Sequence, residues 1–234
     1  MAGFFITGTD TEIGKTFVSS LLIQFFVGKA YKAVGMKPVA SGARKVGGVL
    51  QNEDALSLMQ ASNIEVEYKT VNPYTFEAAV SPHIAAEQAG VEIKHEMIQN
   101  NYHKLQQVAD VVIVEGVGGW YAPISCHTTV ADLAEALQLP VILVVGLRLG
   151  CLNHALLTAQ ALRQSGLIVA GWVANHIEED FLSADKNIET LKHYLNDFPY
   201  LGSIPFTSNA AKSDKGTLIL QNLHNANVLI EKYL

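Results

Sequence analysis

Six apolar runs of strand length, FFIT, KAVGMKPV, DVVIVEG, PVILVVG, LIVAGWVAN and YLGSIP, recur along the 234 residues and constrain the fold more than any other feature. Their apolarity is continuous and rich in Val and Ile, the pattern of strands covered on both faces. Between them lie stretches with helical spacing: Ile93, Met97, Ile98, Tyr102, Leu105 and Val108; then TVADLAEALQ; then LNHALLTAQALRQSG, which closes on Gly166 as a helix stop. Strand then helix, repeated, calls for right-handed crossovers. The expectation is an α/β fold in which residues 1–234 form a single doubly wound domain, with a mostly parallel central sheet and helices on both faces. At 49% hydrophobic and 16% charged residues the chain has the material for one such core. Ligands of these sheets bind at the carboxyl ends of the strands. The least regular stretch, Ser41 to about Ser81, is expected to fold as loops and short helices over that edge. A last helix from about Thr217, with Leu218, Leu220, Leu223, Val228, Leu229 and Ile230, is expected to be structural only.

Charge and hydropathy narrow the function classes. A net charge of -6 without any Lys/Arg run argues against a nucleic-acid partner, because phosphate-backbone binding needs concentrated positive charge. No basic flank precedes the first apolar residues, and no apolar stretch approaches the roughly 18 residues that span a bilayer. The expectation is a soluble, cytoplasmic protein. Cys126 and Cys151 lack metal-ligand spacing and are expected as buried, unpaired, small apolar residues.

The first strand run leads into GTDTEIGKTF and then into the helix-like FVSSLLIQFFVG. That order suits a phosphate-binding loop, in which successive backbone N–H groups and a helix amino terminus converge on phosphate oxygens. Lys15 adds a positive charge for the terminal phosphates and the Thr16 hydroxyl can ligate Mg2+. Gly8 to Gly14 encloses five residues where the common motif has four, so the loop is one residue longer or Thr9 takes the first glycine's place. Asp10 and Glu12 would repel a triphosphate, which points to a cation or an amine bound nearby as well.

Further candidates stand at other strand ends. Glu115, closing VVIVEGVGG, can hold Mg2+ directly or through water, or be a solvated terminal acid. Gly116 and Gly118, flanking Val117, let backbone approach a ligand closely. Asp54, in NEDALSL, is either a helix cap or a metal ligand. Lys37 shares an edge with Lys15, where a second cation would stabilise a transferring phosphoryl group, and Ser41 follows with hydrogen-bonding capacity. His83 and His154 lack a nucleophile partner or metal spacing and are expected as packed or hydrogen-bonded side chains. Nucleophilic catalysis finds no support.

GTDTEIGKT, KPVASG, DAL, VNPYTF, SPHIAA, VEGVGGW, LPVILVVGLRLGCLNHALLTAQAL and GWVAN follow one another from about Phe4 to Pro205. Together they closely resemble the dethiobiotin synthetase family of the biotin pathway, a P-loop NTPase type whose own loop has the longer spacing. The resemblance implies that 7,8-diaminononanoate, CO2 and ATP become dethiobiotin, ADP and phosphate with Mg2+, through a carbamate and a carbamic-phosphoric anhydride. Positioning and charge neutralisation suffice for such a route, which needs no covalent enzyme intermediate.

By the same resemblance, Gly8, Thr9, Asp10, Thr11, Glu12, Ile13, Gly14, Lys15, Thr16 and Phe17 would wrap ATP, with Asp54, Glu115, Gly116, Val117 and Gly118 beside it. Lys15 and Lys37 would hold the carbamate and phosphoryl oxygens, with Thr11 and Ser41 as hydrogen-bond partners. Thr16, Asp54 and Glu115 would ligate Mg2+, and Asn175 and the backbone near Pro205 would meet the base. Glu12, Lys37, Ser41 and Gly118 would contact the diamine, and Gly150, Cys151 and Asn153, supplied by a second subunit of a homodimer, would hold its carboxylate. The competing class is a partitioning-type ATPase switch with a deviant P-loop. That class carries an additional lysine early in the loop, where this chain reads Thr9, Asp10 and Thr11.

Overall fold

The computed structural model describes residues 1–207, 223 and 225–234. In chain order the elements are β1 (Ala2–Gly8), α1 (Lys15–Gly28), β2 (Ala33–Met36), β3 (Val39–Ala40), β4 (Arg44–Val46), β5 (Val49–Gln51), α2 (Glu53–Ala61), α3 (Tyr68–Val71), β6 (Tyr74–Thr75), α4 (Pro82–Gln88) and α5 (His95–Gln106). They continue as β7 (Val111–Glu115), α6 (Val130–Leu137), β8 (Val141–Leu147), α7 (Cys151–Ser165), β9 (Val169–His176), α8 (Ala184–Tyr194), β10 (Tyr200–Ile204) and α9 (Asn227–Tyr233). The six apolar runs become a six-stranded sheet in the order β10-β9-β8-β1-β7-β2, with every pairing parallel.

The sheet is covered on both faces, and its residues alternate between two cores. Phe4 and Ile6 of β1, Val111 and Ile113 of β7, and Ile142 and Val144 of β8 join α1, α2 and α9 in one core. Phe5, Val112, Val114, Leu143 and Val145 join α5 to α8 in the other. Each fully buried side chain of this size contributes roughly 1.5–3 kcal/mol relative to exposure. Trp172 on β9, with no exposed surface, is among the largest fully buried side chains. A capping box between Thr129 and Asp132 sets the start of α6.

Several expectations are corrected. The KAVGMKPV run breaks after Met36, because Pro38 has no N–H to continue a ladder; Val39–Ala40 pairs instead with β6. Ser41 to Ser81 holds a β4–β5 hairpin and β6 besides its helices. Met97 and Val108 are exposed, because α5 buries the narrower stripe Ile98, Tyr102 and Leu105, and Val108 lies past its end. Cys126 is exposed, not buried, on the turn before α6, whereas Cys151 is buried as expected. His154 is exposed on α7; His83 is half-buried and its Nδ1 finds no hydrogen-bond partner among the described residues. The start of the last helix, with Leu218 and Leu220, lies outside the described residues; Leu223 and Leu229 are buried. No helix among the described residues is long and apolar enough to cross a membrane.

Candidate active site

At the carboxyl edge of the sheet, β1 ends at Gly8 and the chain turns through Thr9 to Gly14 into α1. Gly14 caps the helix at φ 82°, where a Cβ would stand 2.2 Å from the Asn175 amide nitrogen, so only glycine fits. Gly14 has no side chain with which to cap α1, and the positive end of a helix dipole favours an anion at this position. Glu12 holds φ 59° although it is not glycine, a strained conformation that the surroundings must enforce. The loop is held by Asn175 Nδ2 donating to the Ile13 carbonyl at 2.8 Å and by the Thr9 N–H donating to Val144 at 3.1 Å. Ile13 is 1% exposed, wedged under the loop.

The loop, β2, β7 and α2 enclose a cavity of about 380 Å³ lined by Thr11, Glu12, Gly14, Lys15, Thr16, Lys37, Ala40, Ser41, Asn52, Asp54, Glu115, Val117 and Gly118. Two lysines meet two acids there. Lys37 is buried, with Nζ 2.6 Å from Glu115 Oε1, 3.0 Å from Asp54 Oδ2 and 3.2 Å from the Gly116 carbonyl. Thr16 Oγ1 donates to the same Glu115 oxygen at 2.8 Å. Lys15 Nζ donates to the Asp10 carbonyl at 2.7 Å.

Their electrostatics differ. Burial, then the charge of Lys37, lowers Lys15 to about 8, against the upward pull of Glu115, Asp54 and Asp10. Burial also acts to lower Lys37, but the charges and hydrogen bonds of Glu115 and Asp54 outweigh it and hold this amine above the usual lysine range. Burial tends to raise Asp54; Lys37 and the Thr16 hydroxyl outweigh it and hold the carboxyl below its ordinary value. One lysine is therefore a fixed cation, and the other is charged or neutral according to what it faces.

Asp54 is free for this role because Asn52, two residues earlier, performs the capping: its Oδ1 accepts the Asp54 and Ala55 N–H groups at 3.0 and 3.3 Å. The Asn52 amide also donates to the Ser41 carbonyl at 3.1 Å. Asn72, fully buried, donates to the Lys37 carbonyl at 2.6 Å and accepts from Tyr68 at 2.7 Å, and the Tyr68 hydroxyl in turn accepts the Asn52 N–H at 2.8 Å. This polar chain sets the backbone of Lys37 and Ser41. The residue-by-residue reading missed Asn52, Tyr68 and Asn72, although Asn52 before Glu53 and Asp54 is a helix-cap pattern.

A hard divalent cation takes oxygen ligands. Thr16 Oγ1, Asp54 and Glu115 supply them side by side, and Glu115 Oε2 is buried without a hydrogen-bond partner among the described residues. No group of three or more His, Cys, Asp and Glu that could hold a metal occurs among the described residues. A hydroxyl and two carboxylates are the hard oxygen donors that suit Mg2+, an ion that keeps waters and phosphate oxygens for the rest of its shell.

A sequence profile described as an AAA domain matches residues 2–213. An ATP-dependent dethiobiotin synthetase of Aromatoleum aromaticum is 48% identical over 207 residues, covering 88% of this chain and 92% of its own length. One from Escherichia coli O157:H7 is 46% identical over 203 residues, covering 87% and 90%. The chain belongs to the dethiobiotin synthetase family. It is thus an ATP-dependent ligase that forms carbon–nitrogen bonds.

Solved structures agree on the fold. MinD of Aquifex aeolicus, from a MinC–MinD cell division complex, superposes with a TM-score of 0.61 at 14% identity, covering 100% of this chain and 98% of its own. The septum site-determining protein MinD of Pyrococcus horikoshii, complexed with Mg-ADP, gives 0.58 at 14% identity, covering 95% and 93%.

Not every expected residue of the synthetase site faces the cavity. Gly8 and Ile13 are buried beneath the loop, and Thr9, Asp10 and Phe17 flank it. Gly116 contributes its carbonyl to Lys37. Asn175 is 4% exposed with its amide nitrogen engaged on Ile13, and Pro205 is exposed beyond β10. Gly150 and Asn153 are exposed and Cys151 is buried at the start of α7, and none of the three lines this cavity.

Proposed function

We propose that the chain, with residues 1–234 acting as a single synthetase domain, converts 7,8-diaminononanoate, CO2 and ATP with Mg2+ into dethiobiotin, ADP and phosphate. The observation that carries the reading is the convergence of Lys15 and Lys37 on a cavity lined by Asp54 and Glu115, beside the amino terminus of α1.

One amine of the diamine adds to CO2 and loses a proton to give a carbamate. A carbamate oxygen attacks the terminal phosphorus of ATP and the bond to ADP breaks. The second amine then attacks the carbamoyl carbon, phosphate leaves, a proton is lost and the ureido ring closes. Lys37 pairs with the carbamate and Lys15 with the transferring phosphoryl oxygens, each offsetting charge that develops in the transition state. Thr11 and Ser41 orient the reacting oxygens, and Glu12 faces the substrate amines. Thr16, Asp54 and Glu115 would hold Mg2+, which would supply positive charge to offset that of the phosphate oxygens. The α7 start of a second subunit, with Gly150, Cys151 and Asn153, receives the substrate carboxylate, so the working form is a homodimer. The reading places the enzyme in the cytoplasm, a compartment that suits two free cysteines, one of them exposed.

The partitioning-switch alternative has only the shared fold in its favour, at 14% identity. The test is ADP release with Mg-ATP and bicarbonate, with and without the diamine, and the product followed by mass. Diamine-dependent turnover to dethiobiotin is expected; ATP hydrolysis indifferent to the diamine would refute the proposal.

A further inference from the structure

The phosphate loop carries an acid that the proposed chemistry does not use. Asp10 does not line the cavity, yet it sits in a loop that must approach a polyanion. Three of its atoms are engaged. One carboxylate oxygen accepts the Thr11 N–H at 2.8 Å, the other accepts from Arg148 Nη2, and its carbonyl accepts from Lys15 at 2.7 Å. Arg148 directly follows β8, and its own carbonyl accepts the Cys151 N–H at 3.0 Å, closing the turn that opens α7. One guanidinium therefore joins the phosphate loop to the start of α7.

The loop needs such a tie. It is one residue longer than the common motif and forces Glu12 into a left-handed conformation. The Lys15 contact is temporary, because an arriving polyphosphate draws that amine from the Asp10 carbonyl to its own oxygens. Arg148 then remains on the Asp10 side chain, and it is the ion-pair partner of that carboxylate.

We infer that Arg148 is a positioning residue for ATP, which anchors and neutralises Asp10 so that the long phosphate loop accepts a polyphosphate, and which ties that loop to the turn opening α7. The inference rests on the ATP-dependent reading for its ligand. It has a signed consequence: removing Arg148 alone leaves an unpaired anion beside the triphosphate, whereas removing both charges leaves none. The pair is partly exposed, 36% and 41% by side chain, so it contributes little to folding stability.

The experiment measures dissociation constants of a non-hydrolysable ATP analogue with Mg2+ for the full chain, Arg148→Met, Asp10→Asn, the double variant and Arg148→Lys, at low and high salt, with melting temperatures alongside. Arg148→Met is expected to weaken binding about tenfold and Asp10→Asn about threefold, with the double variant close to Asp10→Asn and Arg148→Lys recovering most of the loss. In turnover, the KM for ATP should rise more than kcat falls. A double variant that sums both losses, an Arg148→Met protein that binds like the parent, or one whose melting temperature alone drops would overturn the inference. Failure of diamine-dependent turnover in the parent would sink the substrate reading and leave this binding test standing.

Discussion

Lys15 should take up a proton when Mg-ATP binds. In the free protein, burial and then the neighbouring Lys37 charge bring this amine from 10.5 to about 8. At about 1.36 kcal/mol per unit, carrying the charge costs the folded chain about 3 kcal/mol. A polyphosphate supplies the missing opposite charge and returns the amine to the ordinary lysine range. About half of the lysines are neutral at pH 8 and about nine-tenths at pH 9, so about 0.5 and 0.9 proton should enter per nucleotide, against roughly 0.1 at pH 7. Calorimetric titration of a non-hydrolysable analogue with Mg2+, in buffers of different ionisation enthalpy, reads this uptake directly. Lys15→Arg, which keeps the charge but does not titrate, should abolish it. Equal heats in every buffer at pH 9, or an uptake that survives Lys15→Arg, would refute the reasoning. The stability linkage has the matching sign. The folded value lies below the unfolded one, so the unfolded chain binds more protons between about 8 and 10.5, and this group's contribution to stability rises with pH across that window.

Lys37→Met leaves Glu115 buried without its cation; stability should fall by about 3–5 kcal/mol, roughly 6–20 °C in melting temperature, with Mg2+ restoring part of it. Nucleotide binding should survive in this variant while ring closure is lost, as analogue binding and product mass can separate. Gly14→Ala places a Cβ 2.2 Å from the Asn175 amide at φ 82°, and should reduce analogue affinity at least about tenfold while leaving the far-ultraviolet circular dichroism unchanged. Asn153→Ala should raise the diamine KM more than it lowers kcat, since tail anchoring acts alike on ground and transition states; a loss confined to kcat would contradict that role.

The fold was legible where burial is two-sided. A strand covered on both faces must be apolar at every position, so β1, β7, β8 and β9 announce themselves as runs such as FFIT and VVIVE, and their alternation with helices leaves few topologies. The phosphate loop was equally legible, because glycine, lysine and threonine act there through local geometry. Short-range signals also misled: nothing in the composition around Cys126 distinguishes an exposed turn from a core position, and the stripe ending at Val108 runs past the helix that it describes.

By itself, then, the sequence determined the parallel sheet, the loop from Gly8 to Thr16 and the acids and lysines at the strand ends, because each follows from neighbours along the chain. Tertiary structure alone decided what those groups do to one another. That Lys37 and Glu115 share one buried contact across 78 positions, and that Arg148 reaches Asp10 across 138, depend on strand order and register. The charge state of Lys15 has the same origin, since desolvation and Coulomb energy depend on distance through space and not on separation along the chain.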